Sequence, residues 1–118
     1  MPTKEYFLEQ IEKELAVARE AVKAGNDGKA RVCVRRAAGQ AITWYLSKHS
    51  KSTWGTDALT QLKQLKDDPS FSQVCRDAAM RLTTKVSDQF SYQFTTDPLD
   101  DAQIIIREIT QRMYADVA

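Results

Sequence analysis

LEQIEKELAVAREAVKAGNDGKARVCVRRAAGQAITWYL, residues 8–46, holds two helical apolar periods separated by the turn GNDG at 25–28. In the first, Leu8, Ile11, Leu15, Ala18 and Val22 recur in steps of three and four, which aligns them along one face. Glu9, Glu12, Lys13, Glu20 and Lys23 cover most of the remainder, and Thr3 is the natural N-cap because its hydroxyl accepts from an orphan backbone N–H. Gly25 ends this helix, since glycine reaches the left-handed conformation without steric cost. The second helix starts near Asp27, whose carboxylate suits a capping role. Its stripe is Ala30, Val34, Ala37, Ala41 and Tyr45, flanked by Cys33, Ala38, Ile42 and Trp44. Gly39 inside that stripe costs a helix about 1 kcal/mol relative to alanine, so it predicts a close approach by a neighbour. Packing within the monomer is the preferred reason, ahead of a dimer seam.

Working outward, residues 48–56 lose the period and read as a loop, with Trp54 folded back onto the bundle. A short helix follows, with Thr56 or Asp57 as cap and Leu59, Leu62 and Leu65 inward; Asp68 before Pro69 ends it. Ser70 is the expected cap of the next helix, whose stripe is Phe71, Cys75, Ala78, Leu82 and Val86. FSYQF at 90–94 alternates in a strand-like way but has no partner strand, so an extended connector is expected. TDPLDD at 96–101 opens the last helix: Asp97 caps, Pro98 takes the first position, where no N–H is needed, and Asp100 and Asp101 face the positive dipole end. Leu99, Ala102, Ile106, Ile109 and Met113 form its expected buried face, widened by Ile105. Together these patterns predict an all-α fold, an up-and-down antiparallel helical bundle of four longer helices plus one short helix, in a single domain over residues 1–118.

Composition narrows the function classes. The net charge of +1 provides no global field toward nucleic acid or anionic lipid, so such binding needs a local patch. No apolar run approaches the ~18–20 residues of a membrane span, and Met1-Pro2-Thr3-Lys4-Glu5 is polar, so a cytoplasmic protein is expected. Cys33 and Cys75 fall on or beside apolar stripes and read as reduced, buried thiols. Two cysteines and one histidine do not make up the usual four-ligand zinc set, and no cofactor is expected.

Four candidate sites remain. His49, near Ser50 and Ser52, has the atoms of a base and a nucleophile, but sequence adjacency is not triad geometry. The carboxylates Asp67, Asp68, Asp97, Asp100 and Asp101 could ligate magnesium, yet capping and dipole complementarity account for them. Trp44, Tyr45, Trp54, Tyr92 and Phe94 could stack bases, with core or interface packing as the default. Lys29, Arg31, Arg35 and Arg36 form a basic run on the second helix. Arg31 and Arg35 share one face, and Lys29 and Arg36 share another. They read either as solvated flanks salt-bridged to glutamates such as Glu12 and Glu20, or as a phosphate-binding edge for a nucleotide or RNA.

The pair of segments LAVA at 15–18 and AGNDGKA at 24–30, continuing through RAAGQA at 36–41 to Leu46, resembles the HEPN superfamily of small helical-bundle proteins. Leu59, Leu62, Ala79, Leu82, Tyr92 and the Asp101-Ala102 helix opening are compatible with it. Active HEPN ribonucleases carry an arginine followed four to six residues later by a histidine near the start of a late helix. This chain has no such motif, so no catalytic residue carries over. The resemblance implies the non-catalytic members, which dimerise, accompany small nucleotidyltransferases or bind nucleotides. The expected function is therefore a non-enzymatic interaction module, a homodimer or the partner of another protein. The alternatives are nucleotide or RNA binding through Lys29, Arg31, Arg35 and Arg36, and an atypical ribonuclease that uses His49.

Overall fold

The structure, a computed structural model, describes residues 3–49, 54–84 and 97–115 and is all-α, with no strand among them. Five helices follow one another: α1 Lys4–Lys23, α2 Asp27–His49, α3 Ala58–Lys66, α4 Gln73–Thr83 and α5 Pro98–Ala115. Thr3 caps α1 by accepting from the Tyr6 N–H at 3.1 Å. At the other end Gly25, at φ 74°, lets the chain fold back while Asn26 N–H donates to the Ala21 carbonyl and Gly25 N–H to that of Val22. These two bonds satisfy carbonyls that the helix leaves without partners, which is the Schellman arrangement. The cap of α2 is Asn26 rather than Asp27: its side-chain oxygen accepts from Lys29 N–H at 3.1 Å, and Asp27 takes the first turn.

α2 is the central element, packed against α1, α3 and α5, while α4 bridges α3 and α5. The stacked rings of Phe7 and Trp44, 6.4 Å apart, show that α1 and α2 run antiparallel from their shared turn. α4 and α5 are antiparallel as well, because Arg81 meets Asp101 while Ser72 meets Glu108. Every member of the predicted α2 stripe and its flanks is buried, from Ala30 to Tyr45. Gly39 serves intramolecular packing: a Cβ placed on it would stand 2.8 Å from the Cβ of Ala58. Trp54 is folded onto the core as expected.

Other faces are rotated from the expected ones. In α1 the buried set is Phe7, Ile11, Leu15, Ala18 and Ala21, whereas Val22 is 46% exposed. In α3 Leu62 and Leu65 point inward, but Leu59 is exposed, and Gln61 is buried with its amide donating to Thr43 Oγ1 and the Gly55 carbonyl. α4 is capped by Ser72, not Ser70, through a bond from Cys75 N–H. In α5 Ile105 is fully buried and Ile106 only partly. α2 also extends through Lys48 and His49, so His49 belongs to a helix end rather than to a loop. Val86 and the 90–94 segment lie outside the described residues.

Candidate functional site

α2 divides its four basic residues as the three-and-four spacing suggests, but one pair points inward. Lys29 and Arg36 are exposed, Arg35 is half-buried, and Arg31 retains only 9% exposure. Arg35 reaches across to α4, where its Nε donates to the Leu82 carbonyl at 2.7 Å. Leu82 lies in the last turn of α4, where a carbonyl has no partner within the helix, so a cation there is doubly favourable. Glu20 pairs at 3.4 Å with Lys23 of its own helix rather than with the basic run. The four residues therefore do not share a surface: Lys29 borders a groove on α1, Arg36 faces Glu14 and the start of α3, and Arg31 and Arg35 turn toward α5 and α4.

Arg31 lines a cavity of about 180 Å³ between the N-terminal ends of α2 and α5. Val22, Ala30, Val34, Pro98 and Leu99 form its apolar walls, and Asp27 and Asp97 add carboxylates. Among the described residues no hydrogen-bond partner meets the buried Arg31 Nε. Asp97 is already engaged as the cap of α5, accepting from Leu99 N–H at 2.8 Å.

A second, more open depression of about 490 Å³ lies outside the α1–α2 turn. Ala16, Val17, Ala21 and Ala24 make its floor apolar, with Glu20, Asn26 and Lys29 around it. Val17 is exposed there, a large apolar side chain left in water by the fold.

His49 stacks on Tyr45 with ring centroids 4.1 Å apart, and its Nδ1 lies 2.9 Å from the Tyr45 carbonyl. That geometry anchors the ring to its own helix, while Ser50 and Ser52 lie outside the described residues. Among the described residues no three His, Cys, Asp or Glu side chains come together as a metal site. Trp44, Tyr45 and Trp54 are buried and present no open stacking platform; Tyr92 and Phe94 lie outside the described residues. No helix among the described residues is long and apolar enough to cross a membrane.

Besides Arg31, sequence reading missed a second charged group in the interior. Asp101, placed by its spacing near the positive end of α5, is fully buried, and Arg81 donates to its Oδ1 from Nε at 3.0 Å and from Nη2 at 2.8 Å. The available signal was its register: Asp101 lies four residues before Ile105 and eight before Ile109, on the core stripe. Both cysteines are buried and free. Burial, reinforced by nearby Glu108, pushes the Cys75 thiol up to about 12, and burial followed by Glu14 also raises that of Cys33. Thiolate chemistry at neutral pH is suppressed at both positions.

Comparison of the chain with family models, curated proteins and solved structures finds no match.

Proposed function

We propose that this chain is a non-catalytic helical interaction module, HEPN-like in its α1–α2 pair, that acts by pairing with a second copy of itself. The observation that carries this reading is the open apolar groove on α1 around Val17. The alanine–glycine strip of α2 is already occupied by α3, because Ala58 fills the space over Gly39. A docking surface must therefore be sought elsewhere, and the α1 groove combines exposed apolar side chains with one base and one acid at its edge, Lys29 and Glu20. Among the described residues that groove is lined by α1, the α1–α2 turn and the first residues of α2 alone.

Size-exclusion chromatography with light scattering across a concentration series tests the proposal. A dimer is expected, and Val17→Glu is expected to shift it to monomer with an unchanged far-ultraviolet spectrum. A chain that stays monomeric throughout and captures no stoichiometric protein from its native cells overturns the reading. Nucleotide or RNA binding is the second reading, and what favours it is the exposure of Lys29 and Arg36.

A further inference from the structure

Gln61 of α3 keeps one hydrogen-bonding atom unused. The residue is only 3% exposed, and its Nε2 donates to Thr43 Oγ1 and to the Gly55 carbonyl, each at 3.2 Å. A carbonyl can only accept, so the bond to Gly55 fixes which end of the amide carries the nitrogen. Oε1 accepts no hydrogen bond among the described residues, yet it is not sealed off as Arg31 Nε is. It stands 3.5 Å from the point that a Cβ on Gly39 would occupy. Gly39 and Gln61 both line a cleft of about 290 Å³ between α1, α2 and the start of α3, and the bare glycine leaves the approach to this oxygen open. Glu14 of α1 and Arg36 of α2 line the same cleft. No ion pair joins them among the described residues, so a carboxylate and a guanidinium face one space without bridging it.

We infer that this cleft binds a small free amino acid, its ammonium donating to Gln61 Oε1 and its carboxylate paired with Arg36. Glu14 and Arg36 are the charged side chains of the lining and cancel each other. A lone anion or a lone cation therefore meets one like charge, whereas a zwitterion is complemented at both ends. A primary ammonium carries three N–H donors, which suits an acceptor whose orientation is already fixed. A quaternary ammonium has none and leaves Oε1 unsatisfied, an unfavourable outcome for a buried polar atom. Arginine's planar fork takes a carboxylate with two parallel N–H···O bonds. The walls limit the side chain of the ligand: Gly39 and Ala58 add only a narrow apolar floor, and the Thr43 and Thr56 hydroxyls stand beside it. That lining selects alanine, serine or glycine over larger amino acids. The α1 groove shares no lining residue with this cleft, so the ligand and self-association are independent.

The test is titration of the full chain with alanine, followed by ¹H–¹⁵N NMR, beside three partial mimics: propionate, ethylamine and glycine betaine. Alanine is expected to shift the Gln61 side-chain amide and the Ala58 backbone amide saturably. Propionate lacks the ammonium, ethylamine the carboxylate, and betaine the N–H donors. Each should bind at least about tenfold more weakly, the scale of one lost hydrogen bond between charged groups. Arg36 is exposed, so Arg36→Gln should retain the amide pattern of a folded chain while weakening alanine binding by a similar factor. No saturable shift with alanine, equal binding of any of the three mimics, or undiminished binding by a folded Arg36→Gln overturns the proposal. Should that variant fail to fold, the four-ligand comparison on the unaltered chain decides alone.

Discussion

Gly39 of α2 and Ala58 at the start of α3 are so close that a Cβ on the glycine would stand 2.8 Å from the alanine Cβ and 3.2 Å from its Cα. The second contact is with backbone, which cannot swing aside as a flexible side chain can. Gly39 thus sets the distance at which α3 lies on α2, and with it the placement of Leu62 and Leu65 in the core.

Gly39→Ala is therefore expected to destabilise the chain by about 1 kcal/mol: overpacking of ~1–3 kcal/mol opposes the ~1 kcal/mol that alanine gains in a helix. Ala58→Gly removes the opposing methyl, so the double variant should be more stable than the sum of the single changes predicts. Urea denaturation of all four proteins measures that coupling. Strict additivity would mean that the two positions do not touch.

Arg81 and Asp101 form the most deeply placed ion pair described here, with Asp101 fully buried and Arg81 partly exposed. Removing the cation leaves a carboxylate in the interior with its charge poorly compensated, whereas replacing both partners removes the problem. Arg81→Ala should lower stability by about 3 kcal/mol, and Arg81→Met combined with Asp101→Leu should recover much of that loss. Thermal or urea unfolding that shows the double variant to be as unstable as Arg81→Ala would refute this account.

These two positions mark what the sequence makes legible. Gly39 could be read because a mid-helix glycine carries a backbone penalty that packing must offset, so its meaning is local. The α2 stripe was legible for the same reason, since a central helix buries a broad face and tolerates small errors of register. The outer helices bury narrow faces, and one step of rotation exchanges Val22 for Ala21 or Ile106 for Ile105. That rotation depends on where neighbouring helices lie, which local periodicity does not encode. Arg31 was the least legible. Its spacing matches that of a solvated arginine, and the start of α5, distant in sequence, lies against it in the fold.

Cys75 ties stability to alkaline pH. Its thiol is raised from about 9 to about 12 by burial and the nearby Glu108 carboxylate, so the native state holds the proton more tightly than the unfolded chain. A raised value contributes stability that is fully present below the unfolded value and is lost as pH rises through the folded one. Stability should accordingly decline between pH 9 and 12, by up to about 1.4 kcal/mol per pH unit. Cys75→Ala lowers stability overall by leaving space in the core, yet it should lose less across that interval. Urea midpoints of both proteins at successive pH values check the difference in slope. At neutral pH, thiol labelling of Cys75 should proceed only as fast as the chain opens, because the sulfur is buried as well as protonated.

The basic residues of α2 separate into structural and available charges, and salt dependence distinguishes them. Arg35 donates to the Leu82 carbonyl, so Arg35→Ala should lower stability by about 1.5–3 kcal/mol, in the range for a hydrogen bond from a charged donor. Lys29 and Arg36 are exposed and can reach phosphate without rearranging the core. In the nucleic-acid reading, each phosphate neutralised on a single strand contributes about 0.7 to the slope of log K against log salt. Replacing Lys29 and Arg36 together by alanine should reduce that slope by about 1.4 and leave the unfolding midpoint nearly unchanged. Fluorescence anisotropy with a labelled single-stranded RNA at several salt concentrations measures both affinity and slope. An unchanged slope in the double variant would remove this edge as a phosphate contact. A reduced slope with stability intact would assign it to these two side chains.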